Sequence, residues 1–162
     1  MNSSSITLRQ KIGRLVAPLF MVYSRMQRGM TLGVRAAVLD GQGRVFLVRH
    51  TYVPGWYLPG GGVETGETAL AALARELEEE GHIQLKGPPE LQGLYWNREI
   101  SRRDHIAFFV VRHHTQSQPR LPDHEIAEAG FFPLDALPEE TTKATRRRLD
   151  EVAGRRQPDG LW

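Results

Sequence analysis

The chain contains no cysteine. That absence excludes disulfides, thiolate nucleophiles and zinc sites built on sulfur, and it is compatible with a reducing cytoplasm, the location expected for this protein. Charge of one sign is not in excess either. Lys and Arg total 21 against 19 Asp and Glu, a net charge of +2, so no overall field points to nucleic acid and no DNA partner is expected. Long apolar runs are also missing. Residues 15–23 (LVAPLFMVY) are apolar and flanked by Arg9, Lys11, Arg14, Arg25 and Arg28, but they are too few to span a bilayer as a helix, and Pro18 interrupts them. No small-residue cleavage site follows, so the segment does not read as a signal peptide. Residues 1–28 are expected to form a helical extension that packs on the domain or on a second copy in a homodimer, in preference to lying on a membrane surface.

What is present suits one domain. A chain of 162 residues can bury a real core and has little room for a second one. The expected organisation is a domain over residues 29–156 and a short tail over 157–162. Residues 31–39 and 44–49 read as strands flanking Asp40-Gly41-Gln42-Gly43, a glycine-rich turn that suggests a hairpin. The second of them is apolar on both faces, as in a sheet covered on both sides. Residues 91–98 and 105–112 suggest a second hairpin, and 129–134 a short aromatic strand. Residues 115–124 read as an exposed loop. Helices are expected at about 69–80, capped by Thr68, with Leu70, Leu73 and Leu77 inward, and at 139–153. The second should turn Leu149 and Val152 inward and Arg146 to Arg148 largely outward, and stop at Gly154. Strands, helices and hairpins together imply an α/β fold with a mixed sheet.

The richest stretch is residues 61–83, GGVETGETALAALARELEEEGHI, where a glycine turn leads into a helix ending in Glu76, Glu79 and Glu80. Residues three and four apart share a helix face with side chains about 5–6 Å apart, so these carboxylates should converge. Such a cluster is a poor structural choice, because like charges repel and helix C-termini favour cations. An all-oxygen, sulfur-free set suits Mg²⁺, Mn²⁺ or Ca²⁺, and Mg²⁺ usually completes its coordination with waters and substrate phosphates.

This stretch resembles the Nudix box, Gly-x5-Glu-x7-Arg-Glu-U-x-Glu-Glu-x-Gly-U, with U a bulky aliphatic residue. Gly61, Glu67, Arg75, Glu76, Leu77, Glu79, Glu80 and Ile83 occupy its fixed positions. The second fixed glycine is His82 here, with Gly81 one residue earlier as the expected left-handed helix cap. The resemblance implies a Nudix-type α/β/α sandwich with a mixed β-sheet and a Mg²⁺- or Mn²⁺-dependent hydrolase. Its reaction would cleave a pyrophosphate bond in a nucleoside diphosphate linked to another moiety, a small-molecule nucleotide substrate. It further implies Glu76, Glu79 and Glu80 as metal ligands with the Gly60 carbonyl, and Glu67 with Arg75 as a pair holding the loop against the helix. Glu76 is the candidate within the box for taking a proton from the attacking water. Glu125 lies near a position where some relatives carry a later-loop carboxylate, with Glu128 as a rival. A non-catalytic module that binds a nucleotide or an RNA 5′ end is the alternative.

Other candidates stay open on sequence alone. Arg35, in an apolar strand, either extends to the sheet edge or meets a phosphate or base. Arg49, Arg98, Arg102 and Arg103 read as surface arginines before phosphate contacts, and Trp56, Tyr57, Tyr95 and Trp96 as core at least as often as stacking platforms. The six histidines show no metal spacing and read as ordinary. The identity of the nucleotide derivative is not legible.

Overall fold

The computed structural model describes residues 29–162; the extension expected over residues 1–28 lies outside the described residues. Within them the elements run β1 (Thr31–Val38), β2 (Val45–His50), α1 (Ala69–Gly81), β3 (Ile83–Leu85), β4 (Glu90–Trp96), β5 (Asp104–Val111), β6 (His114–Gln116), β7 (Ile126–Phe132) and α2 (Lys143–Val152). A mixed sheet has the order β1-β5-β4, with β1 parallel and β4 antiparallel to β5. β2 pairs antiparallel with β7, and β3 with β6. Among the described residues no helix is long and apolar enough to cross a membrane.

Successive side chains of β1 and β2 point into two different cores. Val34, Ala36, Val38, Phe46 and Val48 pack with Leu73 and Leu77 of α1, while Ala37, Leu39, Val45 and Leu47 pack with Leu149 of α2. An unbroken apolar strand needs cover on both faces, and the two helices supply it. The α/β/α sandwich follows from that burial.

Both flanks of the first glycine turn were expected to zip together, and they do not. The turn itself forms: the Asp40 carboxylate accepts from the N–H groups of Gln42 and Arg44 at 2.9 Å each. Beyond a single Leu39–Val45 bridge the strands part, β1 to β5 and β2 to β7. Turn chemistry fixes only the reversal; the partner is chosen by burial of both faces. The second hairpin, β4–β5, forms as expected, with a bulge between Leu91 and Gly93.

In α1 the Thr68 hydroxyl caps the first turn, accepting from Ala71 N–H at 3.1 Å. Leu73 and Leu77 are buried, but Leu70 is 52% exposed, off the inward stripe. The left-handed residue at the C-terminus is His82 (φ 51°), not Gly81, which is the last helical residue. Gly81 is confined by packing instead, since a Cβ there would lie 2.8 Å from Ile83 Cδ1 and 2.9 Å from Phe46 Cε1. A residue with a Cβ is strained at His82's backbone angles, and its Nδ1 is buried with no partner among the described residues. Replacing His82 by glycine is therefore expected to stabilise the domain by about 1 kcal/mol. Chemical denaturation of the two proteins at one pH would show it, and a lower midpoint for the glycine variant would refute the strain argument.

α2 starts at Lys143 rather than 139, capped by Thr142, and ends against Gly154 (φ 70°). Arg146 to Arg148 are not largely outward: Arg148 is fully buried, and Arg146 and Arg147 are half-buried. Arg148 reaches under the sheet to Glu151 (2.6 Å), the Leu161 carbonyl (2.6 Å) and the face of Tyr95 (4.0 Å). The last residues pack here too, with Trp162 edge-on to Tyr95 and Phe108.

Candidate active site

Two glycines let the loop before α1 touch its neighbours. Gly60 sits at φ 136°, where a Cβ would fall 2.1 Å from the Val34 carbonyl oxygen; a Cβ on Gly61 would fall 2.2 Å from Glu76 Oε1. At Gly60 any side chain would strike backbone, whereas at Gly61 it would displace the Glu76 carboxylate. The loop is thereby pressed against the last turns of α1.

Glu80 is only 5% exposed, and its Oε2 accepts from the Gly60 N–H at 2.7 Å. Its Oε1 lies 3.5 Å from His50 Nε2. Burial pushes the Glu80 carboxyl up to about 7, against the opposing pull of the Arg35 charge and the Gly60 N–H. Burial likewise lowers His50 from its ordinary value, which keeps the imidazole neutral.

Arg75 organises the neighbouring carboxylates. Its Nε and Nη2 donate to the two Glu67 oxygens at 3.1 and 3.2 Å, Nη2 also to the Gly62 carbonyl at 3.1 Å, and Nη1 to Glu76 Oε1 at 2.7 Å. Glu67 in turn accepts from the Glu64 N–H at 3.0 Å. The Arg75 hydrogen bonds hold the Glu67 carboxyl below its ordinary range. Loop 62–67 and helix α1 are stitched together by this fork.

The expected convergence of Glu76, Glu79 and Glu80 on one point is not what the structure shows. Among the described residues no three carboxylate or imidazole groups stand close enough together to hold a metal ion. Glu76 leans on Arg75, Glu80 turns inward to Gly60, and Glu79 is exposed with a 3.3 Å contact to Arg75. Repulsion between like charges at helical spacing explains the divergence: each carboxylate takes its own donor. The donor set still fits a hard cation. It is all oxygen, it has the Gly60 backbone beside it, and it includes a buried carboxylate that no charged cationic side chain contacts among the described residues.

Glu125 is exposed, and its charge reaches both Glu80 and His50. Its rival Glu128 is bound to Arg49 at 2.7 Å, on the far side of the bulge in β7. Trp56 and Tyr95 are core residues, Trp96 donates to the Arg102 carbonyl, and Tyr57 donates to the Pro54 carbonyl while lining a cleft. Arg98, Arg102 and Arg103 are exposed. His50 was missed as a neighbour of the site. Its signal was periodicity: Phe46, Val48 and His50 share the face that meets α1.

A glycine turn clamped onto the acidic end of a helix, inside a two-faced mixed α/β domain, is the Nudix arrangement. The NUDIX domain description matches residues 29–152, and the chain belongs to this family. It is 35% identical over 101 residues to a Mycobacterium tuberculosis protein named as mutator protein MutT4, covering 60% of this chain and 40% of that one. A 52-residue stretch is 44% identical to an RNA pyrophosphohydrolase of Francisella tularensis subsp. mediasiatica, covering 32% of this chain and 34% of the relative. The chain thus spans less than half the length of either relative. The crystal structure of a MutT Nudix hydrolase from Burkholderia pseudomallei superposes with a TM-score of 0.65 at 29% identity, covering 75% of this chain and 97% of that one.

Proposed function

We propose that this protein hydrolyses a pyrophosphate bond in a nucleoside diphosphate linked to another moiety, using Mg²⁺ or Mn²⁺. The observation that carries the reading is the buried Glu80 carboxylate, bonded to the Gly60 N–H at the acidic end of α1. Glu76, Glu79, Glu80 and the Gly60 carbonyl would hold the ion. When bound, the ion supplies neutralisation of the diphosphate charge and an acidified water. The names of the relatives, an RNA pyrophosphohydrolase and a MutT Nudix hydrolase, support the same reaction class.

The remaining work falls to side chains. Arg75 and Glu67 keep the loop and the last turns of α1 in register, so that the ligand carboxylates present their free oxygens. A carboxylate takes the proton of the attacking water as the water oxygen bonds to phosphorus and the bridging P–O bond breaks, giving two phosphate-terminated products. Glu76 and Glu125 are the candidates for that role; the Arg49 contact leaves Glu128 poorly suited to it. A cysteine-free chain suits this chemistry in the cytoplasm.

The test is a panel of nucleoside triphosphates, ADP-ribose, NADH, dinucleoside polyphosphates and 5′-triphosphate RNA with Mg²⁺ or Mn²⁺. At least one should be hydrolysed in a metal-dependent way, and Glu79→Gln and Glu80→Gln should each lower kcat/KM by roughly 10²-fold, as loss of charge stabilisation at phosphorus predicts. Equal turnover by wild type and variants would assign the activity to a contaminant.

A further inference from the structure

Resting on the pyrophosphohydrolase reading, we propose that Arg35 stands at the waist of a two-chambered cleft that selects diphosphates bearing an organic group at both ends over nucleoside triphosphates. One chamber, about 340 Å³, lies along the glycine turn, walled by Leu32, Gly33, Gly61 and Gly62. The other, about 510 Å³, runs toward α2 between Tyr57, Leu58, Lys143 and Trp162. Arg35, Asn97, Ile100 and Ile106 line both. The two volumes therefore meet at these four residues.

Arg35 is the cation at that junction. Its Nη1 is enclosed and has no hydrogen-bond partner among the described residues, a costly state for a guanidinium unless a ligand completes it. Its charge also reaches Glu80, so a phosphate between them would face the proposed cation ligands on one side and Arg35 on the other. A planar guanidinium suits a phosphate's paired oxygens. The bulk of both chambers suits something else. Apolar walls such as Leu32, Leu58, Ile106 and Trp162 offer surface that only an organic group can cover, while Lys143 and Arg147 at the α2 end leave partners for its polar substituents. Each volume is within the range of about 300–1,000 Å³ that encloses organic ligands. A nucleoside triphosphate has an organic group at one end only and would leave one chamber without an apolar occupant. A diphosphate esterified at both ends fills both while its phosphates pass Arg35.

ADP-ribose and ATP, which share adenosine, separate the two classes. Wild-type kcat/KM with Mg²⁺ is expected to favour ADP-ribose by about tenfold or more, the worth of one well-filled apolar chamber. Ile100→Trp adds bulk where the chambers meet and should bring that ratio close to one. A ratio is insensitive to the fraction of protein folded. By calorimetry, Arg35→Met should weaken binding of α,β-methylene ADP-ribose by about tenfold or more, with Arg35→Lys intermediate, as for loss of a charge-assisted contact. An ATP preference in wild type, a ratio unmoved by Ile100→Trp, or unchanged binding in Arg35→Met that melts like wild type would each overturn the inference and leave the pyrophosphohydrolase reading standing. Failure of wild type to hydrolyse any member of the wider panel would overturn that reading and this one with it.

Discussion

Arg148→Met is expected to lower the unfolding free energy by about 3–5 kcal/mol, the usual consequence of removing one partner from a buried ion pair. Arg148 is fully buried, and among the described residues the carboxylate it contacts is Glu151 at 2.6 Å, whose side chain is 4% exposed. Burial lowers the Arg148 pKa from its ordinary value, yet from so high a start that the group stays charged. Methionine would keep an apolar stem but lose the guanidinium's place over the Tyr95 and Trp162 rings, and it would strand Glu151 with the Tyr95 hydroxyl at 2.7 Å as its remaining side-chain donor among the described residues. The Leu161 carbonyl would lose its donor as well. The double variant Arg148→Met/Glu151→Gln removes the orphaned charge and should recover part of the loss. Urea denaturation of all three proteins checks this, and a single variant within about 1 kcal/mol of wild type would mean that the pair is far wetter than its burial indicates.

The second large effect concerns acid and base. In metal-free protein, Glu80 holds its proton up to about 7 when folded, against an ordinary 4.5. The folded state therefore binds more protons than the unfolded chain between those values, so stability falls as pH rises through that window and levels off above it. A shift of that size corresponds to a loss on the order of 3 kcal/mol. Glu80→Gln should abolish this slope and be the more stable protein at pH 8 in EDTA. Subtracting its denaturation midpoints from those of wild type cancels every other titrating group. Divalent cations should act oppositely on the wild type, because they favour the ionised carboxylate. Parallel curves for the two proteins would show that Glu80 ionises normally, and the burial argument would be lost.

Legibility followed the range of the interaction. Helix α1 was written in local terms: a threonine cap, alanines and leucines, a box of fixed spacing. The fork of Arg75 onto Glu67 joins residues eight apart and needed only the box to be foreseen. Strand partners were not local, and the turn at Asp40 misled because it fixes a reversal without choosing a neighbour. β3 and β6 are three residues each, too short to show a period. Arg148 was hidden by its own charge. It lies on the same α2 stripe as Thr145, Leu149 and Val152, but three consecutive arginines look like a solvated face until burial is seen. The divergence of the acidic trio, and the approach of His50 to Glu80, depend on which donors tertiary packing delivers.

The sheet pairings also set when the domain can close during synthesis. The hydroxyl of Thr31 meets Asp104, 73 residues on, and Arg49 meets Glu128, 79 residues on. At a ribosomal pace of about 5–20 residues per second, β1 waits several seconds for β5 to emerge, with its apolar faces unshielded. Such distant pairings also make for slow closure, and nascent chains stalled before residue 111 should depend on chaperones.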